Sequence, residues 1–515
     1  MTRRRSLVVI AMLALAAALA FSDLSAQSQS QSQSQSQRGE AAAPVRAESV
    51  TRGEYLVRAG GCMACHTADP ARPFAGGRAM QTRFGTFYTP NITSDRATGI
   101  GAWTDAQFVR AMREGIGRNG EHLYPAFPYT AYTRLSDADV LAMRAYLATV
   151  PPVRYTPPPH ALRFPFGWRW LMAAWNAFNF TPGRFVPDPA KRAEWNRGAY
   201  LVEALAHCGQ CHTPRNVLGG LKESERLGGA SVAGWRAGNL TPDRAAGIGA
   251  WRDDELLRYL ASGAAPGRAY AIGPMAEVVA NGTQFLTDED RRAMVVYLRS
   301  MPVVAAQSGT RSRWSFGAAG QADITTLDAV GAFERDGGRA RAAGMESKSD
   351  SASTGKTAGT ATDSVRDSAS TAKTPTASTD FAHASADAQE SPQHATNADP
   401  GAANAAHPQG ARLYAAACAS CHGVSGEGAG GAFPSLVQDA VTAAFGSMDT
   451  SNLVLVILHG VNRETHAAPA LMPAFGASLS DEDVAALANY VTQQFGDPRA
   501  TTQAEDVARL RSIAQ

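Results

Sequence analysis

A chain of 515 residues is too long for one hydrophobic core and implies about three or four domains. Its 48 Lys and Arg against 46 Asp and Glu leave the charge nearly balanced, which excludes the concentrated basic surface that a nucleic-acid partner needs. Only six cysteines are present, and all six fall in one recurring pattern.

The first residues read as an export signal over 1–26. Arg3, Arg4 and Arg5 form the charged region, Leu7 to Ala20 the apolar region, and Leu24-Ser25-Ala26 a small-residue cleavage site. The apolar run is too short for a comfortable membrane span. No Cys lies near the cleavage site, so a lipoprotein anchor is not expected, and the periplasm is the expected compartment. Residues 27–50 are a Gln/Ser-rich spacer that can bury nothing and is expected to be disordered.

The first predicted domain covers 51–150. A helical stretch from Gly53 to Gly61 leads into Cys62-Met63-Ala64-Cys65-His66, and Ser136, with Asp139 three residues on, starts a closing amphipathic helix to Thr149. An aromatic connector follows over 151–194, with Phe164, Phe166, Trp168, Trp170, Trp175, Phe178 and Phe180. Its expected role is packing between domains; the alternative is a partner or membrane surface, where Trp is favoured.

The second predicted domain, 195–305, repeats the first. Gly198-Ala199-Tyr200 echoes Gly53-Glu54-Tyr55, Cys208-Gly209-Gln210-Cys211-His212 echoes the first motif, and Gly247-Ile248-Gly249-Ala250-Trp251 echoes Gly99-Ile100-Gly101-Ala102-Trp103. Equivalent landmarks are offset by 146 residues at Cys62 and Cys208, and by 148 at Trp103 and Trp251. A near-constant offset means an internal duplication. Residues 306–407, rich in Ser, Thr, Ala and Asp, cannot offset their own ordering entropy and are expected to be a flexible linker. The third predicted domain, 408–497, carries Cys418-Ala419-Ser420-Cys421-His422, and 498–515 is a C-terminal tail. In each domain one Tyr on the first helix (Tyr55, Tyr200, Tyr414) and one on the last (Tyr146, Tyr297, Tyr490) are expected to pack where the two helices cross.

Cys-x-x-Cys-His is the attachment signature of a c-type haem: the thiols add to the porphyrin vinyl groups and the imidazole becomes an iron ligand. A thioredoxin-like redox pair or half a zinc site does not require His after the second Cys. A disulfide framework of three two-residue loops would staple little. The sequence therefore predicts three covalent haems, held by Cys62 and Cys65, Cys208 and Cys211, and Cys418 and Cys421, with His66, His212 and His422 as axial ligands. The opposite axial place calls for a Met in the loop before the closing helix, which raises the reduction potential. Met275 and Met472 stand there in the second and third domains. The first domain has Phe127, which cannot ligate iron. Its haem takes another ligand, with Met80, Met112 and His122 as candidates, or has none. Pro434 is placed for its carbonyl to accept the His422 imidazole N–H.

Taken together, the two Gly-Ile-Gly-Ala-Trp runs, Tyr124-Pro125-Ala126-Phe127-Pro128-Tyr129, Pro274-Met275-Ala276-Glu277-Val278-Val279 and the third haem motif resemble the triple-haem cytochrome c subunits of bacterial periplasmic dehydrogenases. The resemblance implies an all-α fold of three class I cytochrome c domains. It also implies a catalytic partner, either a quinoprotein or a molybdenum hydroxylase, and a quinone or terminal oxidase as acceptor. Phe127 departs from the alcohol-oxidising branch, where Met stands, and favours the hydroxylase branch. The expected function is electron transfer without a catalytic site of its own, at the outer face of the inner membrane. The alternative is a haem enzyme with an open iron in the first domain.

Overall fold

The structure is a computed structural model that describes residues 47–305, 400–428, 433–437 and 449–513. The export signal, nearly all of the Gln/Ser spacer and most of the predicted linker lie outside these residues. Helices dominate, accompanied by short antiparallel ribbons: a three-stranded one of Ala79–Thr82, Gly85–Tyr88 and Ala161–Leu162, and three two-stranded ones. The ribbons are additions to the all-α expectation. They follow the histidines or frame the loops before the closing helices. No helix among the described residues is long and apolar enough to cross a membrane.

The closing helices start where their caps dictate. Ser136, Thr287 and Ser480 each accept the backbone N–H of the Asp three residues on, at the heads of Asp137–Leu147, Asp288–Arg299 and Asp481–Phe495. Each closing helix meets the helix that precedes a Cys motif at a glycine. A Cβ on Gly53 would lie 1.9 Å from the Ala142 carbonyl oxygen, one on Gly198 1.9 Å from that of Ala293, and one on Gly410 2.2 Å from that of Ala486. Only glycine lets the backbones approach so closely.

The tyrosines divide differently from the expectation. Tyr414 and Tyr490 do pack at their crossing, with ring centroids 5.5 Å apart. Tyr55 and Tyr200 instead reach out of their own helix pairs. The Tyr55 hydroxyl donates to Asp290 at 2.6 Å, and the Tyr200 hydroxyl donates to Asp139 at 2.5 Å. Each Asp is also held by an arginine from its own half: Arg52 binds Asp139 and Arg197 binds Asp290. Two reciprocal links thus join residues 53–150 to 195–301, and the two stretches share one hydrophobic core, with Leu56, Leu135 and Met143 from one side and Leu201, Leu205 and Met294 from the other.

A second core gathers Tyr414, Leu455, Leu487 and Phe495. Two segments outside the predicted domains contribute to it. Within the predicted linker, Pro400–Ala406 is helical and buries Ala403; within the predicted tail, Ala504–Ile513 is helical and buries Val507 and Leu510. Both carry apolar residues at helical spacing, a signal outweighed in the sequence by their polar neighbours. This core sits against the Ala230–Val232/Trp235–Ala237 ribbon. Trp235 packs on it, Arg236 pairs with Asp449, and Asn452 bonds both the N–H and the carbonyl of Arg236.

The aromatic connector is only partly absorbed. Phe166 meets Phe84 edge-on at 4.8 Å, and the Trp175 indole donates to the Leu218 carbonyl at 2.9 Å. Phe164, Trp168, Trp170 and Phe178 remain exposed, as do Val217 and Leu218.

Candidate haem-binding site

Each Cys-x-x-Cys-His stretch forms one short helical turn, Cys62–His66, Gly209–His212 and Ala419–His422, that ends on its histidine. Two hydrogen bonds to backbone carbonyls then recur. The carbonyl of the motif histidine accepts the N–H of a later glycine: Gly76 for His66 at 2.7 Å, Gly229 for His212 at 2.8 Å, Gly428 for His422 at 2.8 Å. The imidazole Nδ1 of each histidine faces a carbonyl oxygen, that of Pro90 at 2.8 Å, Gly238 at 2.7 Å and Pro434 at 3.0 Å.

A carbonyl only accepts, so Nδ1 carries the proton and donates. Nε2 is left with its lone pair, which is the form of imidazole that binds iron. Burial lowers the pKa of all three imidazoles, more than the carbonyl contacts raise it, and keeps the rings neutral. The glycine and the carbonyl belong together. Gly76, Gly229 and Gly428 all have positive φ, and a Cβ on Gly76 would stand 2.4 Å from the Pro90 oxygen that His66 uses. A Cβ on Gly428 would stand 2.3 Å from the Phe433 oxygen, one residue before Pro434. The donor set fits a covalently attached haem: two thiols and one neutral, oriented imidazole at each motif.

Five of the six cysteines are half-buried and Cys65 is exposed. Burial raises the thiols of Cys62 and Cys208 to about 12 and that of Cys418 to about 11, and raises Cys65 and Cys211 as well.

The loops before the closing helices of the first two halves share one backbone register. Phe127 N–H donates to the Tyr124 carbonyl at 3.0 Å and Met275 N–H to that of Ile272 at 3.1 Å. Nine residues before these acceptors stand Gly115 and Gly263, each accepting an N–H bond of 2.7 Å from Leu123 and Ala271. Phe127 and Met275 therefore hold equivalent places. Met275 lies at the head of the helix Gly273–Asn281, and Met472 ends the strand Ala470–Met472, paired with Val461. Phe127 packs on the shared core and lies 5.6 Å, ring to ring, from Tyr132. Among the alternative ligands, Met112 is buried in that core, and Met80 packs in a separate cluster with Phe87, Tyr124 and Met172. His122 has a buried Nδ1 without a hydrogen-bond partner.

Sequence reasoning missed the arginines at the motifs. Arg78 Nη1 donates to the Ala64 carbonyl, between the two cysteines of the first motif, at 2.6 Å. Arg215 Nη2 donates to the Gln210 carbonyl, at the same place in the second motif, at 2.9 Å. One stands 12 residues after its motif histidine and the other 3, so no common spacing announces them.

Comparison with known proteins agrees with this geometry. Residues 50–151 match the family described as cytochrome c, and residues 405–491 match cytochrome c oxidase, cbb3-type, subunit III. Over 479 residues, 91% of this chain and 84% of the relative, the sequence is 36% identical to the fructose dehydrogenase cytochrome subunit of Gluconobacter japonicus. It is 32% identical to the gluconate 2-dehydrogenase cytochrome c subunit of Pantoea cypripedii, over 90% of this chain and 89% of that one. Half of the chain is 48% identical to a nicotinate dehydrogenase subunit of Pseudomonas putida, of which it spans 21%. The likeness holds along nearly the whole length of this chain and of these cytochrome subunits, so the chain belongs to the family of dehydrogenase cytochrome c subunits.

Proposed function

We propose that this chain is a three-haem electron carrier that takes electrons from a periplasmic dehydrogenase partner and passes them to ubiquinone or the respiratory chain. The observation that carries the reading is the repeated pair of hydrogen bonds at His66, His212 and His422, which leaves three imidazoles presenting Nε2. Covalent haem supplies one-electron chemistry there. In this reading 51–150, 195–305 and 408–497 are class I cytochrome c domains, and the first two arose by duplication. The third follows a linker shortened by the helix Pro400–Ala406. Met275 and Met472 are the second axial ligands of the second and third haems.

The catalytic partner is a quinoprotein or a molybdenum hydroxylase. Similarity to the nicotinate dehydrogenase subunit, together with Phe127, supports the latter. The chain works at the outer face of the inner membrane. Exposed Phe164, Trp168, Trp170 and Phe178, with Arg163 and Arg169 in the same stretch and Arg83 bonded to Arg163 from the first ribbon, suit peripheral contact with an anionic bilayer. The test is haem stoichiometry by pyridine haemochrome, followed by reduction of the holoprotein with partner and substrate. Three haems reduced only when the partner is present is the expected result. Substrate oxidation by this chain alone would overturn the reading.

A second reading rests on Phe127 in the register of Met275: the first haem is open on that side and reacts with a small oxidant. Carbon monoxide uptake by one haem of the reduced protein, abolished in Phe127→Met, is its expected signature. No uptake would mean that another side chain closes the position.

A further inference from the structure

The guanidiniums at the first two motifs are alike in contact and unlike in charge balance. Arg78 binds the Ala64 carbonyl and is at the same time clamped by Glu277, with Nη1 at 2.5 Å and Nη2 at 2.9 Å from the two carboxylate oxygens. Glu277 comes from the helix Gly273–Asn281, two residues after Met275, and so crosses from the second half of the pair to the first. Arg215 binds the Gln210 carbonyl, the Gln210 side-chain oxygen and the Gly219 carbonyl, all of them neutral acceptors. Arg83 lies alongside, donating to the carbonyls of Asn216 and Val217 at 2.6 and 2.9 Å. Among the described residues, no carboxylate lies within ion-pair distance of Arg215 or Arg83. The acid on the helix before the second motif, Glu203, is itself offset by Arg226 at 3.0 Å and Arg134 at 3.9 Å.

From this asymmetry we infer that Arg78, Glu277 and Arg215 are positioning residues that order the two potentials, making the second haem the better electron acceptor of the pair. The inference rests on the three-haem reading above. Reduction of ferric iron adds one negative charge, which an uncompensated cation favours and an ion pair does not. The ion pair at the first motif contributes no net charge; the two arginines at the second contribute two positive charges, weakened by solvent because Arg215 is exposed. Electron transfer from the first haem to the second is then downhill. Glu277 also ties the helix of Met275, through Arg78, to the backbone of the first motif, so disturbing one haem's surroundings reaches the other.

The experiment is spectroelectrochemical titration of the haem-loaded full chain and three variants. Arg215→Gln is expected to lower the higher of the two midpoints by about tenfold in the redox equilibrium, or 59 mV for one electron, and Arg215→Lys to restore it. Glu277→Gln, which frees the charge of Arg78, is expected to raise the lower midpoint, while the optical signature of Met-ligated ferric haem in the second domain persists. Each substitution identifies its haem by the wave that it moves. The inference is overturned if Arg215→Gln moves the lower midpoint or none, if Arg215→Lys behaves as Arg215→Gln does, or if Glu277→Gln leaves the lower midpoint in place. A haemochrome count without haem on both motifs would overturn the electron-transfer reading itself, an outcome read before any potential is measured.

Discussion

Replacing Tyr200 by Phe removes one oxygen atom from a place where it does two jobs. The hydroxyl donates to Asp139, whose side chain is only 4% exposed, and accepts the Ser136 N–H at 3.1 Å, at the head of the other half's closing helix. A hydrogen bond to a charged group is worth about 1.5–3 kcal/mol, and Arg52 remains to hold the carboxylate, so a loss of about 2 kcal/mol is expected. The shared core spans roughly 250 residues, for which each kcal/mol moves the midpoint by about 2–4 °C, giving a fall of about 4–8 °C. Tyr55→Phe removes the reciprocal donor to Asp290 and should cost a similar amount. The two links use different carboxylates, but Arg197, which pairs with Asp290, also lies 5.9 Å over the Tyr200 ring, so the double variant should depart from the sum by the coupling between them. Scanning calorimetry of the haem-loaded protein measures this, with Tyr146→Phe as control, because its hydroxyl bonds no described residue. The reasoning is refuted if Tyr200→Phe melts within about 1 °C of the parent, or if the control falls as far.

Three further outcomes follow from the same geometry. Although burial raises the Asp290 carboxyl, Arg197 and Tyr55 outweigh it and hold the pKa below the usual range. Its stabilisation is complete above pH about 4 and is lost as pH falls through the depressed value, so Arg197→Gln should cost most at neutral pH and little at strongly acid pH in a melting series. Gly76→Ala would force a methyl group against the Pro90 oxygen at a positive φ, so it should displace the acceptor of His66 Nδ1 and lower the yield of protein loaded at the first motif, read by haemochrome. Replacing Cys208 and Cys211 together by Ala should cut covalent haem from three to two per chain, counted after acid extraction.

What the sequence discloses is what short-range chemistry writes into it. The haem motifs are contiguous, and the caps Ser136, Thr287 and Ser480 precede their Asp by a fixed step. Pro434 is legible as an acceptor because a proline marks it. Gly238 does the same for His212 with nothing in its residue type to show it, since a backbone carbonyl is common to every residue. The crossed tyrosines escape for another reason. Tyr55 and Asp290 are 235 residues apart, and an aromatic at a helix crossing looks the same whether its hydroxyl stays home or reaches a neighbour. The arginines at the motifs reach equivalent carbonyls from unequal distances along the chain, which no spacing rule could find.

One local irregularity has a wider consequence. From Gly53 to Cys62 the chain takes nine steps, and from Gly198 to Cys208 it takes ten. The extra residue falls within Leu201–Leu205, a π-helical turn closed by the Ala206 N–H on the Leu201 carbonyl. In an ordinary helix, an added residue advances everything after it by about 100° around the axis, enough to aim the second motif's thiols at the wrong wall. The wide turn takes up that phase error within a single turn. On either side of it the two halves keep time: the glycine crossing stays seated, and a left-handed residue, Gly61 or His207, turns each chain into its motif. The helix behaves like a screw with one slipped thread, on which the parts at both ends still line up.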